Sequence, residues 1–96
     1  MRFDWDERKN RTNTRKHGIR FQDATRVFED PDLWEIPQVD LYDEERWIAF
    51  GRTDPGRMSI LMVVFTDRPA NVRRIISARL ATPRETNDYY ARLDRV

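Results

Sequence analysis

The sequence contains no cysteine and a single histidine among its 96 residues. Disulfide bonds and thiolate metal sites are therefore excluded, and one histidine among scattered carboxylates makes no recognisable metal-binding pattern. The longest apolar run, residues 60–65, is far too short to cross a bilayer. The amino-terminal segment is charged, so we expect no signal peptide there. These absences predict a cytoplasmic protein with no cofactor, no metal and no membrane partner.

The sequence also lacks the common motifs of nucleotide-binding and hydrolytic enzymes. It has no P-loop, no glycine-rich nucleotide loop, no HExxH pair and no nucleophile elbow. Mean hydropathy is low, at -0.88, but three Trp, three Tyr and five Phe offer large surfaces for burial. A chain of this length has room for only one core, so we expect a single domain over residues 1–96.

The net charge is only +1, but the charges are unevenly distributed. Residues 1–28 carry a net charge of +4, residues 29–45 carry −8 with no basic side chain, and residues 46–96 carry +5. All but two of the 18 cations are arginines, whose planar guanidinium suits phosphate. Two basic segments around an acidic one predict a polyanionic partner such as RNA. The alternative is an arginine-rich composition typical of a high-GC genome, with the charges simply solvated.

Local patterns predict an α+β fold with a small antiparallel sheet of four to five strands, two amino-terminal helices and one carboxy-terminal helix. The expected strands are 2–5, 33–39, 46–53, 58–65 and 72–79, and the expected helices are 6–16, 21–28 and 83–94. Pro37 marks an edge strand because it has no N–H to donate. Residues 58–65 are nearly all apolar, which is typical of a central strand. We also expect an acidic turn over 40–45 and a tight turn over 54–56.

The first candidate site lies on the predicted first helix. This helix is entirely polar, so it has no hydrophobic stripe to bury. Spacings of three and four residues put Lys9, Asn13, Lys16 and His17 along one face. Imidazole is suited to proton transfer near neutral pH, and lysines bind phosphate. The alternative is a solvated helix whose Asn13 and His17 merely cap backbone groups.

Two further clusters lie in the second half of the chain. In the first, period-two alternation puts Arg73, Ile75, Ser77 and Arg79 on one face of the last strand, with Arg74 on the other face and Arg52 ending an earlier strand. These arginines form either buried ion pairs or an anion site. The second cluster groups residues of the carboxy-terminal helix: Arg84, Glu85, Tyr89 and Tyr90. Glu85 fits a capping box that begins at Thr82, and one of the two tyrosines is expected in the core while the other could stack on a base.

Three segments together resemble the BrnT family of bacterial toxins. They read FDWDERKNRTNTRKHGIRFQDATRVFEDP, EERWIAFGRT and RIISARLATPRETNDYY, and they cover nearly the whole chain in order. The resemblance implies a RelE-like fold and a ribosome-independent endoribonuclease, the toxin of a type II toxin–antitoxin pair. It also implies a BrnA-like, DNA-binding antitoxin that forms a hetero-oligomer with the toxin. One position departs from the family, where an arginine often follows the glutamate but Thr86 follows Glu85 here.

The implied chemistry needs no metal, because RNA carries its own nucleophile in the 2′-OH. On this hypothesis His17 is the acid or base, Lys16, Arg52 and Arg79 stabilise charge, and Glu85 is a further catalytic candidate. The candidates for RNA binding are Lys9, Asn13, Arg74, Arg84 and Tyr89. Two alternatives remain: a nucleic-acid-binding module that does not cleave, and an interaction protein whose acidic 29–45 segment binds a basic partner.

Overall fold

The computed structural model describes residues 1–38, 45–54, 56 and 58–94. The strands are β1 Arg2–Trp5, β2 Trp34–Gln38, β3 Arg46–Gly51, β4 Leu61–Arg68 and β5 Val72–Leu80, and the α-helices are α1 Glu7–His17, α2 Phe21–Ala24 and α3 Pro83–Leu93. A short 3₁₀ helix, Thr25–Glu29, continues α2. Most of the predicted acidic turn, residues 40–44, and Pro55 of the predicted tight turn lie outside the described residues. None of the described helices is long and apolar enough to span a membrane.

The five strands form one sheet in the order β1-β5-β4-β3-β2. The prediction of an α+β domain with β4 at the centre and a proline-containing edge strand is confirmed. One detail differs, because β1 pairs with β5 in parallel and the sheet is therefore mixed. The connections over 52–60 and 69–71 are shorter than the crossover that parallel neighbours need, so β3, β4 and β5 pair antiparallel. Strand β1 is far from β5 in sequence, and its direction is not restricted in this way.

The sheet separates two hydrophobic cores. On one face, α2 and the 3₁₀ helix pack Phe21 and Val27 against residues of β4 and β5 that include Val63 and Ile75. On the other face, α3 contributes Tyr89 to a cluster whose other members are Phe50, Ile60, Met62 and Val64. Both faces of β4 are thus buried from Leu61 to Thr66, as the apolar run predicts, although the strand begins three residues later than predicted and ends in the exposed Asp67 and Arg68.

The predicted alternation along β5 is wrong after Ile75. Phe65 of β4 pairs with Ile75 and Val64 pairs with Ser77, so β5 holds one extra residue, Ile76, at a β-bulge. The extra residue moves every later side chain to the opposite face. Arg73 and Ile75 consequently lie on the α2 face, whereas Ser77 and Arg79 lie on the α3 face.

Candidate functional site

Two buried asparagines fix helix α1 to α2 and to the sheet. The Asp6 side chain caps its first turn by accepting from the N–H groups of Arg8 and Lys9. Asn10 and Asn13 face inward and are only 3% and 7% exposed. Gly18 ends the helix with φ of 72°, a left-handed conformation that glycine adopts at little cost.

The Asn13 side chain hydrogen-bonds the part of β5 that has no neighbouring strand on this side among the described residues. Strand β1 is only four residues long and pairs with β5 no further than Ile75. Beyond it, the Asn13 amide donates to the carbonyl of Ala78 at 2.8 Å, and its oxygen accepts from the Ala78 N–H at 3.1 Å. Asn13 also donates to the Ile19 carbonyl at 2.9 Å. Of the alternatives left open by the sequence, the geometry favours the capping role for Asn13.

Three adjoining depressions form a groove along α1 and one end of the sheet. The helix-side depression has a volume of about 340 Å³ and is lined by Arg8, Lys9, Thr12, Asn13, Lys16, His17, Ile76 and Ser77. The middle depression, about 480 Å³, is lined by His17, Gly18, Ile19, Asp23, Arg26, Thr53, Asp54, Ser59, Leu61 and Leu80. The Arg52 depression, about 200 Å³, is lined by Arg26, Glu29, Asp30, Pro31, Arg52, Thr53 and Asp54. The helix-side and middle depressions share His17, and the middle and Arg52 depressions share Arg26, Thr53 and Asp54.

His17 lies where the helix-side and middle depressions meet. Lys9, Lys16 and His17 are all exposed, so the groove begins among exposed basic side chains. Arg26 lines both the middle and the Arg52 depressions. The groove thus includes three of the predicted catalytic residues, Lys16, His17 and Arg52. Its middle and Arg52 depressions also carry carboxylates, those of Asp23, Glu29, Asp30 and Asp54.

Arg52 is held by carboxylates at its end of the groove. Its guanidinium donates to Asp32 at 3.2 Å and lies 3.7 Å from Asp30, and its backbone N–H donates to Asp30 at 2.8 Å. The Tyr89 hydroxyl also donates to Asp30, at 2.6 Å. Burial opposes the ionisation of Asp30, but these hydrogen bonds and the charge of Arg52 outweigh it and lower the pKa of the carboxyl. Burial and the bond to Asp30 raise the pKa of Tyr89.

Tyr89 is the core member of the tyrosine pair, as was expected of one of them. Its side chain is fully buried, so no base can stack on its ring. Tyr90 is half-buried, packs edge-on against Tyr89 and donates its hydroxyl to the carbonyl of Met58.

Arg79 and Glu85 form a bidentate ion pair away from the groove lining. The two guanidinium nitrogens lie 2.8 and 3.0 Å from the two carboxylate oxygens. Glu85 also completes the predicted capping box with Thr82 at the start of α3. Hydrogen bonding by Arg79 lowers the pKa of Glu85. The pair ties the first turn of α3 to the end of β5.

The remaining predicted residues lie on other surfaces. Arg74 pairs with Asp4 of β1 at 3.3 Å, and Arg84 is exposed on the first turn of α3. Arg73, with 12% of its side chain exposed, lies over the rings of Phe28 and Phe65 and pairs with Asp67.

Sequence reasoning missed Arg26 and Ser77 as groove residues. In the predicted helix 21–28 only the apolar positions form a periodic pattern, and this pattern does not mark Arg26. Ser77 was assigned to the wrong face because a bulge has no reliable signal in a single sequence.

Comparison with known proteins assigns the family. Residues 5–85 match the model of the ribonuclease toxin BrnT of type II toxin–antitoxin systems. The chain belongs to the BrnT family. The crystal structure of the ribonuclease toxin BrnT of Brucella abortus is similar, with a TM-score of 0.64 and 29% sequence identity over 85% of this chain and 97% of that one. A comparison with curated proteins found no match. The BrnT match extends from Trp5 to Glu85. It therefore includes α1, α2, strands β2 to β5 and only the last residue of β1.

Proposed function

We propose that this BrnT-family chain is a metal-independent, ribosome-independent endoribonuclease that binds RNA along the groove. The observation that carries the proposal is the placement of Lys9, Lys16, Arg26 and Arg52 along one groove, with the one histidine of the chain where its first two depressions meet. Lysine and arginine bind phosphates without sequence preference, and a groove lets them follow an RNA backbone.

The proposed reaction uses the RNA 2′-OH as nucleophile. His17 takes the proton from the 2′-OH or delivers one to the departing 5′-oxygen, and water exchanges the other proton. The 2′-oxygen forms a bond to phosphorus as the bond to the 5′-oxygen breaks, which leaves a cyclic phosphate and a free 5′-OH. Lys16 lies next to His17 and stabilises the charge that develops on the phosphate oxygens. Lys9 and Arg26 hold the neighbouring phosphates.

The other candidates take different parts in the proposal. Arg52 binds phosphate at the far end of the groove. To do so, its guanidinium gives up part of its ion pairing with Asp30 and Asp32. Glu85 is kept ionised by Arg79, which makes it a poor proton donor. We therefore assign the Arg79–Glu85 pair to holding α3 in place, and we assign proton transfer to His17.

The decisive experiment is cleavage of a defined RNA by the purified chain. Cleavage is expected to continue in EDTA, to stop when the nucleotide 5′ to the cut is 2′-deoxy, and to yield a cyclic phosphate. His17→Ala should abolish turnover, while Tyr90→Phe serves as a folded control variant. Cleavage that stops in EDTA and returns with a divalent metal would refute the mechanism.

The proposed partner is a BrnA-like antitoxin encoded beside the toxin, which forms a hetero-oligomer with it and covers the groove. Acidic antitoxin residues facing the cationic groove would speed capture. Expression of the chain alone should arrest bacterial growth, and expression with the adjacent reading frame should restore it. Unchanged growth at verified levels of folded protein would contradict the toxin role.

A further inference from the structure

The middle depression has a volume, an apolar wall and hydrogen-bond acceptors that the binding of phosphate groups does not require. It is the largest of the three parts of the groove, and its volume of about 480 Å³ lies within the range of about 300–1,000 Å³ usual for small-ligand sites. It lies between the cations of the helix-side depression and Arg52. An RNA backbone bound at both ends therefore passes over it.

The wall of this depression contains exposed aliphatic surface. Leu80, at the end of β5, is 59% exposed, so its side chain presents apolar surface to this depression. Ile19 and Leu61 add apolar surface, and Leu61 belongs to the buried core, which fixes its position. Enzymes that act on single nucleotides commonly hold the flat face of a base against apolar side chains of this kind.

The rim supplies hydrogen-bond acceptors for the edge of a base. Asp23 is already engaged by Arg20 at 3.0 Å. Asp54 accepts from the N–H of Gly56 at 2.9 Å through one oxygen, and an ionised carboxylate has about four acceptor positions in all. Within the described residues Asp54 therefore keeps acceptor capacity for a ligand, and the hydroxyls of Thr53 and Ser59 line the same space.

Resting on the proposed function, we propose that the middle depression is a nucleobase subsite that favours guanine next to the cleaved phosphate. Leu80 and Leu61 contact the face of the base, and Asp54 accepts from its edge. Guanine is the base that places two N–H donors side by side, at N1 and at the 2-amino group, so that one carboxylate accepts both. Arg26, on the same rim, faces the carbonyl oxygen.

Binding measurements test the subsite without requiring cleavage. Fluorescence anisotropy would compare three 2′-O-methyl oligonucleotides that are identical except for one guanine, inosine or adenine. Inosine differs from guanine only by the missing 2-amino group. The wild-type protein should bind the guanine oligonucleotide about tenfold more tightly than the inosine one, because a hydrogen bond to a charged acceptor is lost. Asp54→Asn should reduce this preference, because the amide has one acceptor oxygen in place of two, and Leu80→Ala should weaken binding of all three.

Asp88→Asn is the matched control, since Asp88 is exposed on α3 and lines none of the three depressions. It should keep the preference for guanine. Equal binding of guanine and inosine by the wild-type protein, or an unchanged preference in Asp54→Asn, would overturn the subsite. Cleavage of ordinary RNA at all bases alike would also overturn it and leave the proposed function intact. Base-selective binding without any cleavage would instead refute the nuclease and keep the subsite.

Discussion

Two asparagines perform in α1 the task that apolar side chains perform in most surface helices. An amide buries well only where every donor and acceptor has a partner. Asn10 meets this condition with Glu7, Gln22 and the backbone N–H of Phe21. Asn13 meets it with the backbone of Ala78 and Ile19. These bonds, rather than hydrophobic burial, hold His17 beside the sheet.

Asn13→Ala should therefore destabilise the protein. The substitution leaves the N–H and the C=O of Ala78, a fully buried residue, without their partner. We expect the free energy of unfolding to fall by roughly 2–4 kcal/mol, measured by urea denaturation. Asn87→Ala on the exposed side of α3 is the control and should change stability little. Equal effects of the two substitutions would contradict the assigned role.

Asp30 gives the protein a defined dependence on pH. Its pKa is lower in the folded state than in the unfolded state, so its stabilising effect is complete above the unfolded-state pKa and is lost as the pH falls through the folded-state pKa. Tyr89→Phe removes the 2.6 Å bond that helps to lower this pKa. The free energy of unfolding of the variant should be about 1–3 kcal/mol below that of the wild type at neutral pH. It should also decrease less on acidification than the free energy of unfolding of the wild type does.

Urea denaturation from neutral pH down to about pH 3 measures this difference. Tyr90→Phe is a suitable control, because its hydroxyl bonds to the uncharged carbonyl of Met58. It should lower stability by a similar amount at every pH. Parallel pH profiles for Tyr89→Phe and the wild type would show that Tyr89 does not act through Asp30.

At the scale of elements, the sequence predicts those features that depend on neighbouring residues. The capping box at Thr82, the helix end at Gly18 and the buried central strand β4 are all confirmed. Features that depend on contacts between residues far apart in the sequence cannot be predicted from a single sequence. The parallel partner of β1, the bulge at Ile76 and the contact of Asn13 with β5 are of this kind. The groove crosses such contacts, which explains why its residues were found only in part.

The Arg79–Glu85 ion pair, which links β5 to α3, allows a structural role of Arg79 to be distinguished from a catalytic one. Arg79 and Glu85 are each about a quarter to a third exposed, so we expect a coupling energy of only about 0.5–1 kcal/mol in a double-mutant cycle of Arg79→Ala and Glu85→Gln. Both single variants should retain cleavage when compared at equal folded fraction. A loss of turnover in Arg79→Ala far beyond that in Glu85→Gln would return Arg79 to the reaction.

The whole molecule is nearly neutral, yet its groove presents cations at intervals along its length. Neutrality is reached because the acidic side chains concentrate in residues 29–45, where the net charge is −8. Overall charge therefore gives little long-range attraction for RNA, and binding must depend on local phosphate contacts. Such contacts release counterions and make affinity fall with salt.

The salt dependence of RNA binding locates these contacts on the molecule. Lys9→Gln, Lys16→Gln and Arg26→Gln should each reduce the slope of log Kd against log salt by about 0.7, the value for one phosphate contact with a single strand. Arg2→Gln is the control, because Arg2 pairs with Val72 at the opposite end of β5 from Leu80, about 25 Å away at the usual rise of a strand. Its slope should equal that of the wild type. If all four variants share one slope, the RNA backbone does not follow the groove.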